Sequence, residues 1–164
     1  MMLKKVISGG QTGVDRAGLD AAIEAGIPVG GYCPKGRGAE DGVIPDRYPL
    51  TELESPESYY RTEMNVIKSD GTLIINKGML SGGTRLTHEF TVQYGKPTLI
   101  VQLDDDLVTD PANVVRWMQG QFISVLNIAG PRESKCPGGI YREAYSYLEK
   151  VFQLQKETLF YDQN

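Results

Sequence analysis

Short apolar runs along this chain alternate with stretches of helical periodicity. Val6 and Ile7 open the first run, which stops at Ser8-Gly9-Gly10. Val14, Ala17, Gly18, Ala21, Ala22 and Ala25 then recur at helical spacing and predict a helix ended by Gly26. Residues 29–32 predict a second, short strand. Residues 58–68 predict a helix with Tyr60, Met64 and Ile67 on one face, followed by the turn Ser69-Asp70-Gly71. Residues 72–75 form a continuous apolar strand of the kind buried in parallel sheets. Leu86, Phe90 and Tyr94 mark a helix ended by Gly95, and residues 98–101 form the next strand. Asp110-Pro111 opens a helix carrying Val114, Val115 and Met118. Residues 124–129 make the last strand. Ile140, Ala144, Tyr147, Leu148, Val151 and Phe152 make the last amphipathic helix, and residues 158–164 read as a loosely held tail.

Strand and helix alternate throughout, and right-handed crossovers then require parallel strands with helices on both faces. The expected fold class is therefore α/β, a three-layer α/β/α arrangement around a mainly parallel sheet, in a single domain spanning residues 1–164. One long connection, from Cys33 to about Pro56, is rich in Gly, Pro and charge. Connections of this length are usually functional or disordered.

Composition narrows the function without naming it. The net charge is −4, so there is no overall basic field to gather nucleic acid, and any anion site has to be local. Cys33 and Cys136 are the only cysteines and form no disulfide framework or CxxC motif. A single histidine, His88, leaves a zinc site short of ligands, so no metal site is expected. No long apolar span precedes the first strand, which predicts a soluble, cytoplasmic protein that does not enter a membrane.

The candidate chemistry lies in glycine-rich turns after the strands. Ser8-Gly9-Gly10-Gln11-Thr12-Gly13-Val14-Asp15-Arg16 joins the first strand to the first helix. Glycines there let backbone approach a ligand, and the helix start offers free N–H groups to an anion. Gly9, Gly10, Gln11, Thr12, Gly13, Asp15 and Arg16 are thus candidate contacts. The plain alternative is a tight turn capped by Thr12 or Asp15. The spacing is neither GxGxxG nor a Walker A loop, which disfavours the usual dinucleotide and P-loop ligands. Ser81-Gly82-Gly83-Thr84-Arg85 repeats the arrangement after a later strand, with Gly82, Gly83 and Thr84 as an anion nest and Arg85 as a bidentate phosphate partner. Arg85 serves equally well as a solvated helix residue. Glu89 could act as an acid or base or bind a ribose hydroxyl, or simply be a first-turn helix carboxylate. Arg132 follows the last strand, and Lys35 and Arg37 in the long loop could close over an anion. Arg61 is a weaker candidate. No nucleophile–base pair stands out, so the residues speak more for binding than for catalysis.

SGGQTGVDRAGLDAA (residues 8–22), GGYCPKGRGAEDG (30–42), RTEMNVIKSDGTLII (61–75), SGGTRLT (81–87) and NIAGPRES (127–134) resemble the molybdenum cofactor carrier proteins of the circularly permuted YpsA branch of the SLOG superfamily. The resemblance runs from the first strand to the last. It implies a Rossmann-like sheet, assembly as a homodimer or homotetramer, and a small phosphate-bearing ligand: the molybdenum cofactor (molybdopterin) or a nucleotide-like molecule. The superfamily also includes the Lonely Guy phosphoribohydrolases, whose fingerprint is PGGxGTxxE. Here Gly82, Gly83 and Glu89 match it, while Ser81, Arg85 and Leu86 stand where that fingerprint has Pro, Gly and Thr. A nucleoside-monophosphate hydrolase reading therefore rests on Glu89 as the catalytic group. A nucleotide-sensing module without chemistry is the third reading.

Overall fold

The computed structural model describes residues 3–161. In chain order the elements are β1 (Lys5–Ile7), α1 (Val14–Glu24), β2 (Val29–Gly30), β3 (Tyr32–Cys33), β4 (Gly38–Ala39), β5 (Gly42–Val43), β6 (Thr51–Glu52), α2 (Ser58–Ile67), β7 (Gly71–Asn76), α3 (Gly82–Gln93), β8 (Thr98–Gln102), α4 (Pro111–Gly120), β9 (Val125–Ala129) and α5 (Tyr141–Tyr161), with a 3-10 turn at Glu133–Lys135. A five-stranded sheet in the order β2-β1-β9-β7-β8 forms the centre, and every pairing within it is parallel. The fold is the expected α/β class, a Rossmann-like parallel sheet between helical layers.

Alternation along the strands divides the sheet into two unlike faces. Val6, Leu73, Ile75, Val101, Leu126 and Ile128 join α1, α4 and α5 in one apolar cluster. The neighbouring positions Ile7, Thr72, Ile74 and Asn127 therefore point to the other face, where α2 and α3 lie. Gly18 lets α1 approach this closely, because a Cβ there would come within 2.8 Å of the Ile128 side chain. Asp110 caps α4 as expected, its carboxylate accepting from the Ala112 N–H at 2.8 Å, with Pro111 in the first turn.

Two expectations are corrected. The strand expected over residues 29–32 is broken: Val29 and Gly30 pair with β1, whereas Tyr32 and Cys33 leave the sheet to pair with β6. Gly31 makes the break at φ 127°, and a Cβ there would lie 2.1 Å from the Ser8 carbonyl oxygen, so only glycine fits. The expected tail is helical through Tyr161, because Val151 and Phe152 dock the helix on the core and Gln155 is buried beyond them. Residues 162–164 of that expectation lie outside the described residues.

The long loop has a core of its own, built from Leu19 of α1 with Cys33, Ile44, Tyr48 and Leu50. Arg37 (φ 56°) organises it by donating to the carbonyl oxygens of Ile44, Pro45, Tyr48 and Leu50. One guanidinium here satisfies backbone acceptors that the loop has too little secondary structure to pair.

Candidate functional site

The chain leaves β1 toward β2 on one side and β7 toward β8 on the other, with β9 between them. Connections that diverge in this way open a crevice beyond the strand C-termini, the usual ligand position in parallel α/β sheets. A cleft of about 710 Å³ lies there, walled by the ends of β1, β7 and β9 and by α2 and α3.

The turn after β1 contributes Gly9, Gln11 and Asp15 to the cleft. The remaining candidates of that turn hold protein instead. Gly10 abuts Leu50 and Ile44 of the loop core. Gly13 (φ 78°) sits against the Pro131 carbonyl, which accepts the Val14 N–H at 3.2 Å. A protein carbonyl thus occupies the N-terminus of α1, where the sequence suggested a phosphate. Thr12 hydrogen-bonds Glu40, and its hydroxyl accepts the Glu133 N–H at 3.2 Å. Arg16 donates to the Gly10 carbonyl at 3.0 Å and forms a two-pronged pair with Asp41. Glu40 also takes the Ser134 N–H and hydroxyl and lies 3.4 Å from Arg132. Those hydrogen bonds, from Ser134 first and then Thr12, hold its carboxyl below the usual range.

The start of α3 is different. Gly82, Gly83 and Thr84 line the cleft, and Ser81 precedes them without a capping side-chain bond. Among the described residues their N–H groups have no acceptor, and a Cβ on either glycine would meet nothing within 4 Å. Three free donors at a positive helix end face open space. Arg132 lines the same cleft, as do Lys77, Lys135 and Arg61, which sequence reasoning missed or ranked low. Lys77 could have been found, because it directly follows β7; Lys135 lies farther on, at the end of the 3-10 turn after β9. Arg61 could not, because it reaches the cleft from α2, donating to the Gly9 carbonyl at 3.0 Å across 52 positions of sequence.

Asp15 is the buried carboxyl of the site. It is 8% exposed, and Gln11 N–H donates to its Oδ2 at 3.2 Å. Burial pushes its pKa up to about 6 against the opposing pull of Arg61, the Gln11 N–H and Arg16. Asn127 on β9 is 2% exposed, and its Nδ2 donates to Thr72 Oγ1 at 3.2 Å.

Four expected residues lie elsewhere. Lys35 is exposed outside the cleft, and Arg37 is engaged with its own loop. Arg85 and Glu89 are exposed, pair with each other at 3.0 Å, and do not line the cleft. Among the described residues no cluster of three His, Cys, Asp or Glu could hold a metal ion, and no helix is long and apolar enough to cross a membrane.

No curated protein matches the chain. Among solved structures, the chain is similar to a protein from Syntrophus aciditrophicus SB, determined at 1.45 Å and named "Putative molybdenum carrier protein". The two are 47% identical, with a TM-score of 0.83 over 92% of this chain and 94% of that one. A model of the circularly permutated YpsA SLOG family matches residues 6–152. The matched residues span most of the chain, and the chain belongs to the circularly permutated YpsA SLOG family.

Proposed function

We propose that this protein is a molybdenum cofactor carrier, a cytoplasmic binding domain that assembles as a homodimer or homotetramer and holds a phosphate-bearing pterin or nucleotide-like ligand in the cleft. The observation that carries this reading is the uncapped start of α3. The N–H groups of Gly82, Gly83 and Thr84 face the same space as Lys77, Arg132 and Lys135. A phosphate there would gain charge-assisted hydrogen bonds from N–H groups that hold no protein acceptor, beside Lys77 and Arg132, which pair with Glu143 and Glu40. The cleft suits a molybdopterin-sized cargo, since ligand pockets of roughly 300–1,000 Å³ enclose small molecules. The solved relative's name points the same way.

A Lonely Guy-type hydrolase gains no support, because Glu89 lies outside the cleft and is paired with Arg85. Carrier binding predicts a rise in melting temperature with saturating molybdenum cofactor, since a ligand that binds only the folded state stabilises it. Gly83→Asp should abolish that rise while leaving the apo melting temperature nearly unchanged, because the added side chain meets open space but sets a carboxylate against the phosphate. An unchanged melting temperature at saturating cofactor would falsify the reading. Native mass spectrometry of protein purified from its own host, showing co-purified ligand and subunit number together, is the complementary measurement.

A further inference from the structure

Donors and acceptors predominate at different ends of the cleft, with Asp104 among the donors and Arg61 beside the acceptors. Donors collect around α3 and the loop after β9: the free N–H groups of Gly82, Gly83 and Thr84, with Lys77, Arg132 and Lys135. Acceptors collect beside the ends of β1 and β9. Asp15 is one, a buried carboxyl whose cost of burial outweighs the pull of Arg61, Arg16 and the backbone N–H groups of Gln11 and Gly9. Asn127 is the other. Its Nδ2 is committed to Thr72, which orients the amide, and among the described residues its Oδ1 has no donor. Among the described residues no side-chain oxygen sealed from solvent lacks a partner, so this Oδ1, on a residue only 2% exposed that lines the cleft, opens into the cleft. Acceptors open to the cleft in this way can exchange water for the donors of a bound ligand.

We infer that Asp15 and Asn127 form a second subsite, which reads the donor edge of a 2-amino-4-oxopyrimidine ring, the edge shared by pterins and guanine. A ligand with a phosphate at one end and adjacent ring N–H and exocyclic amine donors at the other complements both ends of the cleft. The carboxylate takes the two adjacent donors side by side, and the Asn127 carbonyl takes the outer amine hydrogen. Adenine offers no ring N–H at that edge, and hypoxanthine lacks the amine. This inference rests on the phosphate-end reading above but is tested apart from it.

The test uses isothermal titration calorimetry of the full chain with GMP, IMP and AMP, and with inorganic pyrophosphate as a probe of the anion end alone. Wild type should bind GMP roughly tenfold or more tighter than IMP or AMP, the discrimination a good two-pronged hydrogen-bonded pair provides. Asp15→Asn, close in shape, should bring GMP down to the IMP level while holding pyrophosphate affinity within about twofold. Asn127→Ser should lose a smaller part of the preference and serves as the second variant. Equal affinities for the three monophosphates, no binding of any of them, or a GMP preference that survives Asp15→Asn overturns the subsite. Cofactor stabilisation without GMP preference removes the subsite and leaves the carrier reading. GMP preference without cofactor stabilisation does the reverse.

Discussion

On one face of the central sheet, Val6, Leu73, Ile75, Leu126 and Ile128 pack against α1, α4 and α5 in a dry apolar cluster. On the other face the same strands meet helices whose inward positions are largely threonine and asparagine. Thr62, Thr87 and Thr91 return their hydroxyls to the Ser58, Gly83 and His88 carbonyls of their own helices. Asn65 exchanges two hydrogen bonds with the Tyr32 backbone, and Asn127 bonds Thr72. Both faces are built from buried residues, but only the second can open onto a polar cleft without exposing a hydrophobic core. The dry face supplies most of the stability, since apolar burial is its main source. The polar face gives up some of that stability and keeps groups able to meet a ligand.

Substitutions can break this contrast, and the largest effect is expected on the dry side. Phe152 on α5 is fully buried in the main cluster. Phe152→Ala should cost about 3–5 kcal/mol in denaturant unfolding, from lost transfer energy plus the cavity left behind. A loss under about 1 kcal/mol would mean that this face does not carry the fold.

The next effect has the opposite sign. Asp15 has its pKa raised from 3.8 to about 6 in the folded protein, so the native state holds its proton more tightly than the unfolded chain does. Stability from this group is therefore greatest in acid, falls as pH rises from the unfolded value through about 6, and levels off above it. Asp15→Asn should remove that slope and stabilise the apo protein by up to about 3 kcal/mol near neutral pH, with the gain vanishing near pH 4. Melting curves of both proteins across that range are the check. A difference that does not grow with pH would show that burial does not strain this carboxyl.

Smaller effects sharpen the comparison. Thr91 is buried, but its hydroxyl only answers a carbonyl of its own helix. Thr91→Val should therefore shift stability by less than about 1 kcal/mol, well below the cost of Phe152→Ala. Smallest of all, Arg85→Ala should change stability by no more than about 0.5 kcal/mol, as its pair with Glu89 is a solvated surface bridge. It should also leave cofactor-induced stabilisation intact. Loss of that stabilisation in Arg85→Ala would return Arg85 to the site and reopen the hydrolase reading.

The sequence by itself determined the order of elements and the class of fold. Each core strand is a short apolar run and each helix carries its own periodicity, and both signals are local. It also singled out the β7–α3 turn, where Gly82 and Gly83 open a helix whose start the structure leaves uncapped. Which helix start stays open was not legible. The β1–α1 turn carries three glycines within five residues, yet Pro131 and the tip of the long loop occupy it from 118 and about 30 positions away in sequence. The same distance effect sorted the cations. Arg16, Arg37 and Arg85 look like Arg61 and Arg132 in one dimension; all five have protein partners, and only the packing brought the last two to the cleft. Local pattern sets which elements form; the tertiary structure decided which of their polar groups remain unpaired, because a partner from a distant segment is a property of packing and not of spacing.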